Sequence, residues 1–587
     1  MSLINAKNII TELSKTPNLS IEKLHKIFIS YPRATGSIYS KSELLELYTQ
    51  LTEANAINLP HDARLNFLNN ITMKKIRTLS GVTTVTVLTK PFPCPGKCIF
   101  CPNDVRMPKS YISSEPGAQR AATNNFDPYD QTFRRLLALE KIGHPTDKVE
   151  LIILGGTWSS YTQDYQIWFV KRCFDALNDF SLTADKTGVA YIKPLLNAFT
   201  KEALQTEVKS ENGVTNYNLS VALKEQTRES ATWAELARAQ NLNESAESRC
   251  VGLVIETRPD EITLNEVVRI RRLGATKVQL GVQSLNNTVL RLNKRGHTVV
   301  QTAKAFALLR GAGFKIHAHY MPNLYGSSPA KDIKDFAKLF DDPRFRPDEL
   351  KIYPCSLIDG TELMTIYKQG KWRPYSKEEL LQVLASCLAK IPRYCRVTRM
   401  IRDIPSQEIV DGNKATNFRQ LVEDYIKQND IKLEEIRSRE IKELTVSKES
   451  LQLKETWYQT ANSEEVFIEF VTKEDLIAGF LRLSFPLNLT SKTLKAKSDI
   501  IRKLSELKDA AIIREVHVYG ASVELGDTKI GAAQHTGLGT KLIQCAISMA
   551  IAKKVKKLAV ISSIGTKKYY ERFGFEQTGL YQTMNLP

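Results

Sequence analysis

Between residues 149 and 353 the chain repeats one pattern, a short apolar run followed by a longer stretch with apolar residues at helical spacing. The runs from Val149 to Leu154, Val251 to Glu256, Lys277 to Val282, Phe314 to His319 and Glu349 to Tyr353 read as buried strands. Thr263 to Leu273 reads as an intervening helix, with Leu264, Val267, Val268 and Ile270 on its apolar side. Strands alternating with helices imply an α/β fold around a parallel sheet, a full or partial barrel. Chemistry in barrels gathers at the carboxyl ends of the strands. The first run ends at Gly155-Gly156, where missing side chains would let backbone approach a ligand.

The flanks read differently. Apolar residues at Leu24, Ile27 and Phe28, then at Leu44, Leu47, Tyr48 and Leu51, predict a helical region over residues 1–80. Residues 181–248 are polar, charged and poorly periodic, and read as a long insertion rather than core. Towards the other end, Ala510 to Gly520 reads as a strand in which Val516 and Val518 alternate with Glu515 and His517. The loop Gln534-His-Thr-Gly-Leu-Gly-Thr540 then opens a helix with Leu542, Ile543, Ala546, Ile547, Ala550 and Ile551 on one face. Backbone N–H groups and the positive end of a helix dipole at Gly537, Leu538, Gly539 and Thr540 suit the pyrophosphate of coenzyme A. Close packing alone would explain either glycine singly. The order of strand, glycine loop, helix, strand from Lys557 to Ser562 and Tyr569-Tyr570 resembles the GNAT acetyltransferase fold.

Composition narrows the class. At 587 residues the chain exceeds one ordinary core, and its 42% hydrophobic and 25% charged residues are those of a soluble globular protein. No apolar run approaches membrane-spanning length, and the start lacks a signal pattern. The net charge of +18 suits a polyanionic partner, and residues 1–80 hold ten Lys or Arg against six Asp or Glu. Lys74, Lys75 and Arg77 form a basic cluster there. Nine cysteines, mostly scattered singly, do not make a secreted disulfide framework, so a reducing, cytoplasmic setting follows.

Three of them stand apart. Cys94-Pro-Gly-Lys-Cys-Ile-Phe-Cys101 places three thiolates among turn formers, spaced to wrap one corner of a 4Fe-4S cluster. No fourth cysteine follows at ligand spacing, so one iron stays open for the amino and carboxylate groups of S-adenosylmethionine. Zinc in a structural site wants four ligands, and no Cys or His follows Cys101 until His144. Cys355, Cys387 and Cys395 are core thiols or a small zinc site. His297 faces substrate or serves packing.

Longer motifs then converge on one family. Gly81-Val-Thr-Thr-Val-Thr-Val87, Asp127-Pro-Tyr129, Gly143-His-Pro-Thr-Asp-Lys-Val-Glu150 and Ile255-Glu-Thr-Arg-Pro-Asp260 resemble the catalytic subunit of the Elongator complex and its single-chain relatives. So do Gly281-Val-Gln-Ser284, Arg295-Gly-His-Thr-Val299, Arg402-Asp-Ile-Pro405 and His517-Val-Tyr-Gly520. The resemblance implies three regions: a basic tRNA-binding region (1–80), a radical S-adenosylmethionine domain (81–410) and a GNAT-type domain (411–587). It implies attachment of the acetyl carbon of acetyl-CoA to carbon 5 of the tRNA wobble uridine, giving 5-carboxymethyluridine.

By the same resemblance Cys94, Cys98 and Cys101 hold the cluster, and Lys148 contacts acetyl-CoA. Glu515, Val516, His517, Val518, Gly537, Leu538, Gly539, Thr540 and Tyr570 bind the coenzyme, with Tyr569 a second candidate. Lys148, Tyr569 and Tyr570 are the candidate catalytic groups. A protein lysine acetyltransferase with a structural cluster is the alternative. A single-chain enzyme, a homodimer and an assembly with other Elongator-like subunits all stay open.

Overall fold

The computed structural model describes the chain except residues 1, 18, 34, 73–80, 183–204, 206, 210–213, 223–228, 416, 443, 445–449, 488–498 and 520–536. Lys74, Lys75, Arg77, Gly520 and the Gln534 end of the glycine loop lie outside the described residues. Helices α1 (Ser2–Lys15), α2 (Ile21–Ser30), α3 (Lys41–Glu53) and α4 (His61–Ile71) close around their own core, which includes Ile9, Leu13, Leu24, Phe28, Leu44 and Phe67. Local chemistry starts these helices. The Ser20 hydroxyl accepts from the Lys23 N–H, and Ser40 with Glu43 forms a capping box.

A parallel sheet follows, built from β1 (Thr83–Leu88), β2 (Lys148–Leu154), β3 (Arg249–Thr257), β4 (Lys277–Gln283), β5 (Lys315–Tyr320), β6 (Glu349–Ile352) and, after the two-residue β7 (Leu357–Ile358), β8 (Arg396–Arg399). Its order is β1-β2-β3-β4-β5-β6-β8, each strand beside the next, and its two edges do not pair with each other. It is therefore a half-barrel. The short β9 (Ile409–Asp411) pairs, among the described residues, with β7. Just past β2, Gly155 takes φ +136°, and a Cβ there would lie 2.0 Å from the Thr89 hydroxyl oxygen. Glycine is required at that turn by the chain itself.

The polar segment 181–248 differs in part from the expected insertion. Trp233–Asn243 is a helix with a Thr232–Glu235 capping box, and its Leu236, Ala239, Gln240 and Asn243 are buried. Asn243 donates to Asn178 at 2.8 Å, Asn178 to the Ala239 carbonyl at 3.0 Å and Gln240 to the Leu273 carbonyl at 3.0 Å. Trp233, Leu236 and Ala239 give this helix a short apolar side against the main core, and the buried amides of Gln240 and Asn243 continue it, so a mostly polar composition hid a core helix.

The second sheet comprises β10 (Gln452–Gln459), β11 (Ser463–Val471), β12 (Ile477–Pro486), β13 (Ala510–Val518), β14 (Lys557–Val560), β15 (Glu576–Thr578) and β16 (Tyr581–Asn585), in the order β10-β11-β12-β13-β14-β16-β15. Strands β13 and β14 run parallel and pair only from Ala510 to Ile513 and Lys557 to Val560. There β14 ends while β13 runs on to Val518, and helix Leu538–Ala552 packs its Leu542, Ile543, Ala546 and Ala550 against the sheet.

The half-barrel stands on this sheet. Asp348, fully buried, accepts from Arg310 at 2.9 Å and from Arg514 at 2.7 and 2.9 Å, and Arg514 also donates to Glu465 at 2.8 Å. Burial alone would raise the Asp348 pKa, but Arg310, Arg514 and Arg482 outweigh it and hold the carboxyl far below the usual range. The stabilisation is thus present above the ordinary carboxylate pKa near 4 and is lost only in strong acid. Asp348→Ala, which strands buried guanidinium groups, is expected to destabilise the chain by roughly 3–5 kcal/mol in urea unfolding at neutral pH. An unchanged midpoint would show that the network is not what joins the two sheets.

Candidate active site

The cysteine loop leaves the carboxyl end of β1 and is held by contacts from distant parts of the chain. Cys98 and Cys101 are buried and Cys94 is half-buried. The Cys101 N–H donates to the Cys98 carbonyl at 3.2 Å, the Ile99 N–H to the Asn293 carbonyl at 3.4 Å, and the Leu363 N–H to the Ile99 carbonyl at 2.9 Å. Arg295 donates to the Cys98 sulfur at 3.2 Å. Arg258 lies across Gly96, where a Cβ would come within 2.1 Å of its Nη1. The Cys101 thiol, then the guanidinium groups of Arg295 and Arg258, hold the Cys98 thiol well below its usual range despite burial.

These groups fit an iron–sulfur cluster. Among the described residues no three His, Cys, Asp or Glu side chains converge on one point as ligands of a single metal ion. A cubane takes each cysteine through a different iron, so it does not need that convergence. Arg295 and Arg258 beside Cys98 favour its thiolate, the form a metal binds. The Arg258 Nη1 is buried without a hydrogen-bond partner, which suits an anionic group beside the loop. Neither Arg258 nor Arg295 received a role from sequence, although both lie inside the motifs quoted above.

The inner wall of the half-barrel is charged in two layers. In the upper layer, nearer the cysteines, His319 lies 3.1 Å from the Gln279 side-chain oxygen and 3.7 Å from Glu256, and Lys351 donates to the same Gln279 oxygen at 2.6 Å. Burial pushes the Lys351 pKa down to about 8, so this amine can gain or lose a proton near neutral pH. In the lower layer Lys277 sits 2.7 Å from Glu150 and 3.2 Å from Glu349, while Lys315 lies 3.1 Å from Glu349 and pairs with Glu515 of β13. Glu150 crosses β3 over Gly252, where a Cβ would come within 3.2 Å of it. The ladder thus runs from β2 to the second sheet.

On that sheet Gly537, with φ +70°, precedes helix Leu538–Ala552. A Cβ on Gly539 would lie 2.6 Å from the Tyr569 hydroxyl oxygen. Tyr569 therefore reaches over the helix start, whereas Tyr570 packs its ring into the sheet's core near Phe575. Leu538 is fully buried beneath the loop. Glu515 is kept ionised against its burial by Lys315 and Arg482, Val516 packs on the core, and Val518 comes within 3.9 Å of a Gly539 Cβ. His517, its pKa lowered to about 4 by burial, stacks on Phe480 and meets Tyr519 edge-on. Lys148 opens β2 opposite Arg249 of β3, and a Gly565 Cβ would touch Arg249, which places Lys148 beside the acetyl-domain loop at residues 563–566.

One cavity of about 2210 Å³ joins the two ends. Its wall includes Cys94, Cys98, Cys101, Gly155 and Gly156 at the cysteine loop, and Lys148, His517, Gly537, Gly539, Thr540, Tyr569 and Tyr570 at the second sheet. His297 is not on that wall; it is buried. Cys355 packs in the apolar cluster under the cysteine loop, whereas Cys387 and Cys395 belong to the main core. Among the described residues no helix is long and apolar enough to cross a membrane.

Two family models match, the radical SAM C-terminal domain over residues 347–428 and the acetyltransferase (GNAT) domain over residues 531–585. The tRNA uridine(34) acetyltransferase of Methanocaldococcus jannaschii is 36% identical over 95% of this chain and 91% of its own length. Elongator complex protein 3 of Dictyostelium discoideum is 31% identical over 92% of this chain and 91% of its own length. The solved structure of the archaeal Methanocaldococcus infernus Elp3 with an N-terminal deletion superposes with a TM-score of 0.66 and 34% identity, covering 86% of this chain and 100% of that one.

Proposed function

The chain belongs to the family of the tRNA uridine(34) acetyltransferases and Elongator complex protein 3, and on that premise we propose that it modifies the tRNA wobble uridine at carbon 5, with acetyl-CoA as carbon donor and 5-carboxymethyluridine as product. The observation that carries this reading is the continuous cavity between the cysteine loop and the acetyltransferase helix start. A protein acetyltransferase would need only the second of these.

Cys94, Cys98 and Cys101 would hold the 4Fe-4S cluster, with Arg258 facing an anionic group of S-adenosylmethionine. Bound together, these groups supply a carbon radical able to take hydrogen from the acetyl methyl group. The chain's own residues do the rest. Gly537 to Thr540 offer backbone N–H groups and a helix dipole to the coenzyme pyrophosphate, and Lys148 adds a cation at the rim. Glu515 of β13 pairs with Lys315 of the ladder, so a thioester held at Gly537 to Thr540 would share one cavity with the ladder and the cysteines. Lys351 and His319 stand in the upper layer, where a proton can be moved.

Arg120, Arg399, Arg402 and Arg437 on the cavity wall, of which Arg399 pairs with Asp403 and Arg402 with Glu115, and the net charge of +18 suit an RNA backbone. The uridine would leave its stack to enter. Both cofactor sites sit on one chain, which supports catalysis without residues from another subunit.

Reconstituted anaerobically with a reductant, the protein is expected to release 5′-deoxyadenosine only when acetyl-CoA and tRNA are both present, with carboxymethyluridine appearing in digested tRNA. Acetylated lysines without a changed nucleoside would favour the protein acetyltransferase.

A further inference from the structure

Among the described residues between helix Gln163–Leu182 and β3, one stretch reaches the cysteine loop. Its short helix Tyr217–Ala222 carries Asn218, whose side-chain oxygen accepts from the Cys94 N–H at 2.9 Å and whose amide nitrogen donates to the Cys94 carbonyl at 2.8 Å. Cys94 precedes Pro95, which biases its backbone towards the extended region, where N–H and C=O point to the same side. A primary amide presents an acceptor and a donor side by side and matches that pair.

The same helix is anchored on the outgoing arm of the loop. The Tyr217 hydroxyl donates to the Met107 carbonyl at 2.8 Å, and Tyr217 packs with Val105 and Val221 in a small buried cluster. The Lys109 ammonium lies 4.8 Å from the Tyr217 ring centre. One helix therefore grips the loop at its first cysteine and after its last. Cys94 is also the least buried of the three thiols, the one with the least support from the core.

We propose that Asn218 is a positioning residue that fixes Cys94 for cluster binding, and that Tyr217–Ala222 is the clasp holding the loop closed. The inference rests on the reading of Cys94, Cys98 and Cys101 as cluster ligands. It assigns work to a stretch whose polar sequence otherwise reads as insertion. Asn218 does not touch the cluster; it acts through the Cys94 backbone.

The test uses the full chain, reconstituted anaerobically with iron and sulfide, as wild type, Asn218→Ala, Asn218→Asp and Tyr217→Phe. Read out are iron per chain, the rate of cluster loss to an iron chelator, the electron paramagnetic resonance signal after reduction, and the melting temperature of the cluster-free protein. Asn218→Ala is expected to lose its cluster about tenfold faster than wild type, with an unchanged cluster-free melting temperature. Asn218→Asp, which keeps the acceptor and loses the donor, should fall between, and Tyr217→Phe should shift the rate in the same direction. Loss rates and signals equal to wild type in Asn218→Ala would overturn the inference while leaving the cluster reading intact. A cluster-free melting temperature lowered in step with the faster loss would overturn it too, as general destabilisation. Wild type that takes up no cluster would instead sink the cluster reading itself.

Discussion

Replacing Cys98 with serine is expected to abolish cluster binding and uridine modification together, leaving iron content and activity at background. The Cys101 thiol and the adjacent Arg295 and Arg258 draw Cys98 towards the anionic form. Serine removes the soft ligand and supplies a hydroxyl that stays protonated at neutral pH. It also leaves Arg295 without its sulfur acceptor in a buried position. Iron and sulfide analysis, with the reduced spin signal, reads the first effect, and nucleoside analysis of tRNA reads the second. A Cys98→Ser protein with full iron and normal modification would remove the basis for radical chemistry here. Iron retained with modification lost would instead place Cys98 downstream of cluster binding.

What could be read from sequence, and what could not, follows from how each group is held. The cysteine loop and the glycine loop are short stretches in which spacing itself suggests the chemistry, so both could be proposed as sites before any fold was known. The strands from Val149 to Tyr353 were legible because parallel strands are covered on their outer face by helices and keep apolar residues there.

Their inner faces carried a second signal that went unread. Lys277 and Gln279, Lys315, His317 and His319, and Glu349 and Lys351 alternate with apolar residues at period two, which is the mark of a charged lumen. Arg258, Arg295 and Asn218 had no such local mark. Each meets the cysteine loop from more than a hundred residues away, and only the closed fold brings them together. The helix Trp233–Asn243 escaped because only Trp233, Leu236 and Ala239 mark its buried side within a polar stretch, and amide hydrogen bonds complete it.

Gly539→Glu is expected to abolish acetyl-CoA binding and carboxymethyl formation while cluster content and tRNA affinity survive. Two effects combine at this position. A Cβ alone would meet the Tyr569 hydroxyl at 2.6 Å, so the ring must turn away from the helix start. The added carboxylate would then stand where the backbone N–H groups should face the coenzyme pyrophosphate. Two unit charges ~4 Å apart at an effective dielectric near 20 repel by about 4 kcal/mol, and even a third of that weakens binding about tenfold. Gly539→Ala separates the two, since it displaces Tyr569 without adding charge, and should cost less than the glutamate. Calorimetric titration with acetyl-CoA gives the affinity, and iron analysis and a tRNA gel shift supply the controls. The cysteine loop lies at the opposite end of the cavity, so neither control depends on the glycine. Normal uridine modification in a Gly539→Glu protein that no longer binds acetyl-CoA would mean that the acetyl carbon is not the donor. The acetyltransferase half would then act on a separate substrate, and the charged ladder from Glu150 to Glu515 would serve only to join two domains.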